Sequence, residues 1–282
     1  MAENTSCSRE SCEGCPSAQG CPSAQQKDLH APMNARSNVR HVIGIISGKG
    51  GVGKSTATAM LAVYLRRQGY RVGILDADIT GPSVPRLFGV DKIGGVKDEE
   101  MIPAETATGI RIMSINLLLE DETQPVLWRG PILGGVLQQF WSEVVWGELD
   151  YLLVDMPPGT GDVALTVFQS LPVDGVFLVS SPQSLVEMIV TKAYTMAAMM
   201  DVPVLGVIEN YSYLICPDCG RKIALFGESS IGTWAVEHDV PVAARLPLDP
   251  SMIPFADSGR MEYYELPDGF EAVAALLPKE EA

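Results

Sequence analysis

Basic side chains are scarce in this sequence. Its 282 residues hold 20 Lys and Arg against 35 Asp and Glu, a formal charge of −15. Binding along a phosphate backbone needs the opposite balance, because cationic side chains must displace its counterions. No nucleic-acid partner is expected. Long apolar runs are missing too: none reaches the roughly 18 residues that a bilayer-crossing helix needs. Residues 1–26 are polar and Cys/Ser-rich, without the apolar stretch of a secretory signal. No membrane association and a cytoplasmic location are the expectations. Histidine is rare, with three residues, yet 46% of the chain is hydrophobic. That apolar content supplies a core large enough to offset chain entropy, so the chain as a whole is not disordered.

Cysteine is also sparse and unevenly placed. Four of the six lie at Cys7, Cys12, Cys15 and Cys21, and the other two at Cys216 and Cys219. A disulfide-stapled secreted fold would scatter them through a shorter chain. The clustering points to thiolate ligation of metal.

Residues 1–38 have no hydrophobic period and are rich in Ser, Gln, Ala and Pro, which predicts a flexible tail. From residue 39 short apolar runs alternate with helical patterns, so 39–282 is expected to be the globular domain. Strands are predicted at 42–47, 72–76, 151–155, 175–180 and 204–208. Helices are predicted at 55–68, 132–146, 163–171 and 184–200. Continuously apolar strands alternating with helices imply an α/β fold in three layers: a mostly parallel sheet covered on both faces. Residues 89–109, rich in Gly and charge, read as an excursion from the core.

Directly after the first predicted strand stands Gly48-Lys49-Gly50-Gly51-Val52-Gly53-Lys54-Ser55, which satisfies G-x-x-x-x-G-K-[ST] between a strand and a helix. The glycines let the backbone wrap phosphates with its N–H groups turned inward. Lys54 then neutralises the terminal phosphates and Ser55 holds Mg²⁺. The helix N-terminus adds partial positive charge. Lys49 is a second lysine that one nucleotide does not require. Asp76-Ala77-Asp78 ends the second strand, and Asp155 ends the third and leads into Met156-Pro157-Pro158-Gly159-Thr160-Gly161-Asp162. Carboxyl ends of parallel strands face the ligand crevice, so these carboxylates should converge there. Asp78 is the candidate to orient an attacking water and Asp155 to hold Mg²⁺ through its water shell. Asp76 is either an Mg²⁺-side or a structural carboxylate. The catalytic set is thus Lys49, Lys54 and Asp78. Nucleotide contacts are expected from Gly48 through Thr56, that is Gly48, Lys49, Gly50, Gly51, Val52, Gly53, Lys54, Ser55 and Thr56.

Cys216-Pro217-Asp218-Cys219 supplies two thiolates where a closed tetrahedral site needs four. Either the pair is a structural oddity or two chains contribute a pair each across a two-fold axis. Zinc and an iron–sulfur cluster both fit four thiolates. The amino-terminal Cys7, Cys12, Cys15 and Cys21 are spaced to close round one cluster within a single chain, with a zinc knuckle as the alternative.

Taken in order, these motifs resemble the Mrp/ApbC group of ATP-binding iron–sulfur cluster carriers, within the MinD/ParA superfamily of deviant P-loop ATPases. The resemblance spans roughly residues 40–260. It rests on the phosphate loop, residues 76–83, Trp128-Arg129-Gly130-Pro131, residues 155–162, Ser181-Pro182-Gln183, and Gly206-Val207-Ile208-Glu209-Asn210 leading to the cysteine pair. The amino-terminal cysteines resemble the cluster motif of the cytosolic scaffold members, with a shorter gap from Cys7 to Cys12. The resemblance implies a homodimer or a dimer with a paralogous subunit, and ATP with Mg²⁺ at each phosphate loop. It further implies Lys49 reaching the partner's nucleotide, Asn210 on the adenine, and a [4Fe–4S] cluster bridged by Cys216 and Cys219. The activity implied is a slow ATPase that passes clusters to apo iron–sulfur proteins. Ser229 and Ser230 depart from a Gly-rich stretch of the group, and Tyr211 from its usual Met. The competing reading is a MinD/ParA-like positioning ATPase with a structural zinc site.

Overall fold

The computed structural model describes residues 30–78, 81, 83–97, 100–119, 130–183 and 186–279, and for 130–133, 162 and 186 the backbone alone. The chain divides into two units, Met1–His30 and Ala31–Ala282; the second is described below. Its strands are β1 (Asn38–Ile46), β2 (Val72–Asp76), β3 (Gly95–Lys97), β4 (Glu100–Ile102), β5 (Ala104–Glu105), β6 (Arg111–Ser114), β7 (Glu148–Asp155), β8 (Gly175–Ser180), β9 (Val204–Ile215), β10 (Lys222–Ile223) and β11 (Val242–Pro247). Its helices are α1 (Lys54–Arg67), α2 (Val84–Phe88), α3 (Gly130–Ser142), α4 (Asp162–Ser170), α5 (Val186–Met199), α6 (Ile231–Glu237), α7 (Ile253–Asp257) and α8 (Phe270–Ala275).

Among the described residues nine strands make one sheet, running β10-β9-β8-β1-β7-β2-β6-β5 with β11 also on β9. Pairing is parallel except for β5 on β6 and β10 on β9. The central strands are apolar on both sides because both sides are covered. Val42 and Ile46 of β1, with Leu152 and Val154 of β7, pack with Phe140, Trp141, Phe168 and Val190. Ile43, Ile45 and Leu153 pack instead with Leu61, Leu65, Phe88 and Phe270. Two buried cores therefore sandwich one sheet, as the unbroken apolar runs require.

All five predicted strands and four predicted helices are present; β2 and β8 keep the predicted bounds and the others differ at one or both ends. Four short strands of the main sheet, β5, β6, β10 and β11, have no counterpart in the sequence reading. β6 has only four residues, and β11 is broken by Arg245 and ends in Pro247, so neither makes a continuous apolar run. Residues 89–109 are mixed: β3 and β4 form a separate antiparallel ribbon, but β5 joins the main sheet and Ala104 is buried. β9 extends seven residues past its predicted end at 208. That extra arm pairs with β10 and carries the cysteine pair at its tip.

α1 begins the moment the phosphate loop ends. Gly53 stands before it in the left-handed region (φ 79°), and Arg66 and Arg67 lie in its last turn, where cations favour the helix dipole. Ahead of β1, the chain is tied to the helical layer: Ala31 donates to the Ser170 carbonyl at 2.9 Å and Trp141 Nε1 to the Ala31 carbonyl at 2.9 Å.

Candidate functional site

The phosphate loop connects β1 to α1 at the carboxyl edge of the sheet. Gly51 and Gly53 hold φ of 78° and 79°, a region costly for any residue with a Cβ. Ser47 Oγ donates to the Lys49 carbonyl at 3.1 Å and Gly159 N to the Ser47 carbonyl at 2.8 Å, so the loop is braced from inside and from the segment after β7. Behind it, Gly48 lies against α5: a Cβ there would stand 2.1 Å from Ile189 Cγ2.

Strand register brings the carboxylates together. Asp76 and Asp155 are direct neighbours at the ends of β2 and β7, and Asp155 is also opposite Ile45 of β1. Lys54 Nζ sits 2.7 Å from Asp155 Oδ1 and 3.9 Å from Asp78 Oδ2. Ser55 Oγ donates to Asp155 Oδ2 at 2.5 Å, and Thr58 Oγ1 to Oδ1 at 3.0 Å. Lys54, Asp76, Asp78 and Asp155 are all at most 9% exposed. Three carboxylates thus surround one ammonium, an excess of negative charge that suits a divalent cation with Ser55 and Asp155 as the oxygen donors. Asp76 is the most enclosed. Burial pushes its carboxyl well above the usual range, the Asp155 charge adds to this, and Lys54 pulls it back. Its oxygens accept from the Asp78 and Val84 amides and from Ser114 Oγ. It therefore shapes the turn that presents Asp78.

Two cavities meet at Thr56. One of about 250 Å³ is enclosed by the phosphate loop, Lys54, Ser55, Asp78 and Pro158. The second, about 280 Å³, has walls of Met60, Tyr211, Pro247, Leu248 and Ile253 and includes Asn210. Phosphates suit the first and a flat apolar ring suits the second. A larger cleft of about 740 Å³ flanks α2 and has Ser83 in common with the phosphate cavity; the buried charges are not in it. Asn210 is buried at the cavity edge, donating Nδ2 to the Val52 carbonyl at 3.0 Å and accepting the Tyr211 amide at Oδ1. Lys49 Nζ donates to Gln183 Oε1 at 2.6 Å.

The cysteine pair forms the turn between β9 and β10. Gly220 donates to the Cys216 carbonyl and Cys216 to the Arg221 carbonyl, each at 2.9 Å. The amides of Cys219 and Asp218 point at the Cys216 sulfur and, with the Cys219 side chain, favour its thiolate. Cys216 is half-buried and Cys219 exposed. Among the described residues no group of three or more His, Cys, Asp or Glu is arranged to hold a metal ion. Within one chain the pair brings two thiolates to the hairpin turn, where a closed tetrahedral site needs four ligands.

Cys7, Cys12, Cys15 and Cys21 lie outside the described residues, as do Ile79, Thr80, Pro82, Trp128, Arg129 and the predicted helix start at Ser184. Sequence reasoning missed Thr58, whose hydroxyl lies one helical turn beyond Lys54 on the same carboxylate; the i, i+4 spacing was the available signal. It also missed the Glu209 side chain.

A parallel sheet with a phosphate loop at its carboxyl edge, a lysine and a hydroxyl beside buried carboxylates, and an adjoining apolar cavity define a P-loop nucleotide-binding protein. Residues 38–276 match the ParA family model described as NUBPL iron-transfer P-loop NTPase, and the chain belongs to that family. It is 47% identical over 235 residues to an iron-sulfur cluster carrier protein of Clostridium perfringens, covering 80% of this chain and 82% of that one. It is 44% identical over 255 residues to an iron-sulfur cluster carrier protein of Methanocaldococcus jannaschii, covering 88% and 87%. A nucleotide-binding protein from Archaeoglobus fulgidus, solved with ADP and with Co found by PIXE, superposes with a TM-score of 0.74 at 45% identity, covering 83% and 91%. The Aquifex aeolicus MinC:MinD complex superposes with a TM-score of 0.60 at 19% identity, covering 86% of this chain and 98% of that one, a likeness of fold alone.

Proposed function

We propose that this chain is an ATP-dependent carrier of iron–sulfur clusters, which it holds between two subunits and passes to apo-proteins in the cytoplasm. One observation carries the reading: β9 bears Asn210 against the phosphate loop and, six residues on, Cys216 at its tip. A nucleotide site and half a thiolate site thus share one strand. The names of the relatives at 47% and 44% identity point the same way.

In this reading the loop amides and Lys54 bind the phosphates of ATP, and the adenine enters the cavity bordered by Asn210. Ser55 and Asp155 hold Mg²⁺, which supplies charge neutralisation on the phosphates. Asp78 orients the water that adds to the γ-phosphorus as its bond to the bridging oxygen breaks. Lys49 donates to the neutral Gln183 amide, and in this reading it would cross to the nucleotide of a second subunit. Cys216 and Cys219 of two chains together give the four thiolates of a [4Fe–4S] cargo. Cys7, Cys12, Cys15 and Cys21 would hold a second cluster, ahead of the segment that Ala31 ties to the helical layer.

Anaerobic incubation of the full chain with ferrous iron and sulfide tests the reading. The expected product shows a sulfur-to-iron charge-transfer band, and an apo iron–sulfur protein added afterwards gains activity. A preparation that takes up only zinc, with no such band, contradicts it.

A further inference from the structure

The hairpin that carries the cysteines leaves the sheet through one buried carboxylate. Glu209 of β9 is 1% exposed and belongs to neither the phosphate site nor the thiolate pair. Three side chains converge on it. Ser212 Oγ donates to its Oε2 at 2.6 Å, Arg245 Nε of β11 donates to the same oxygen at 3.2 Å, and Ser229 Oγ donates to Oε1. Ser212 stands where the chain goes out to the cysteines, and Ser229 where it returns. One carboxylate therefore pins both ends of the segment holding Cys216 and Cys219. Ser229 Oγ also accepts the Ile231 amide at 3.1 Å, which fixes the start of α6 to the same point.

The residues beside Glu209 face the nucleotide site. Asn210 donates to the Val52 carbonyl in the phosphate loop. Tyr211 follows in the left-handed region, φ 58°, a strained conformation for a non-glycine residue that persists only where neighbours enforce it. Its hydroxyl is 2.7 Å from where a Cβ on Gly53 would be. The kink at Tyr211 divides β9 into a sheet arm and a hairpin arm, and β11 changes register on β9 between Arg245 and Pro247 at the same level.

We propose that Glu209 is a positioning residue that transmits nucleotide occupancy to the cysteine hairpin. Movement of the phosphate loop acts on Asn210, and the Glu209 clamp converts it into a shift of both hairpin ends at once. A buried carboxylate with three donors resists partial loosening, since any lost bond leaves charge uncompensated. The clamp thus moves as a unit. Ser212 and Ser229 are the contacts through which it grips the hairpin, and Arg245 ties it to β11. This inference rests on the carrier reading above, because it concerns how the two sites of that reading communicate.

The test is a linkage measurement on the full chain. A fluorescent ADP analogue with Mg²⁺ is titrated into apo protein and into protein reconstituted with iron and sulfide, for wild type, E209Q and S229A. Two coupled sites in wild type should differ in nucleotide affinity by about fivefold or more between the two forms, the lower end of usual couplings. In both variants the ratio should fall below about twofold, while apo affinity and iron uptake persist. A merely structural role would lower the melting temperature and leave the ratio intact. Wild-type linkage that survives in both variants overturns the clamp and leaves the carrier reading standing. Wild type that loads iron without any linkage overturns the clamp as well, and wild type that loads no cluster overturns the carrier reading beneath it. If E209Q does not fold, S229A decides, since it deletes a single hydroxyl and keeps the carboxylate.

Discussion

Lys54 carries one positive charge among Asp76, Asp78 and Asp155, and each of these side chains is nearly sealed from water. Replacing it by Ala leaves buried carboxylates without their cation and removes a charged hydrogen bond to phosphate. Nucleotide affinity, measured calorimetrically, should fall roughly 10- to 100-fold. Asp78→Asn should separate binding from hydrolysis: ATP affinity within a few-fold, turnover down on the order of 100-fold. Away from the site, Arg71 grips Asp150 through two side-chain nitrogens and its own amide. Those bonds hold the Asp150 carboxyl below its usual value, outweighing its partial burial. A lowered folded-state value means stabilisation that is present above the unfolded value and lost as pH falls through the folded one. Asp150→Asn should therefore cost about 1 kcal/mol near neutral pH, discounted for the exposure of Arg71. The gap in melting temperature from wild type should close in acid. Roles at this scale were legible where they depend on neighbours in sequence: the loop from Gly48 to Ser55 is one continuous motif. Glu209 was not legible, because its partners Ser229 and Arg245 lie 20 and 36 residues away.

The central elements follow from the sequence because both faces of β1, β2, β7 and β8 are buried, which makes each an unbroken apolar run. β6 and β11 are shorter or interrupted and are held in place by their neighbours rather than by their own pattern. The hairpin arm of β9 escapes the same logic: Asn210-Tyr211-Ser212-Tyr213 is polar and aromatic, Tyr213 pairs with Pro247 at the end of β11, and β10 pairs only with Leu214 and Ile215 beyond it. The joint between α1 and β9 gives a prediction at this scale. A Cβ on Gly53 would stand 2.2 Å from Asn210 Nδ2, and the residue sits at φ 79°. Gly53→Ala should cost about 1–3 kcal/mol, visible as a melting temperature several degrees lower. It should also displace Asn210 from the Val52 carbonyl and weaken nucleotide binding beyond the loss in stability.

At the scale of the molecule, the chain offers a complete phosphate site and an incomplete thiolate site. Two thiolates at a hairpin turn call for two more, and in the proposed carrier a second copy would supply them by symmetry. On that proposal, linkage between ATP and cargo would be a property of the dimer, since β9 runs from the phosphate loop to the cysteine turn. The central claim is that cargo is held between subunits by Cys216 and Cys219. Iron content and molar mass, measured together on anaerobically reconstituted full chain and on the Cys216→Ala/Cys219→Ala variant, test it most directly. The account predicts that the variant loses about four iron atoms per two chains relative to wild type, and that its mass falls from that of a dimer toward that of a single chain. Equal iron and equal mass in the two proteins would contradict it.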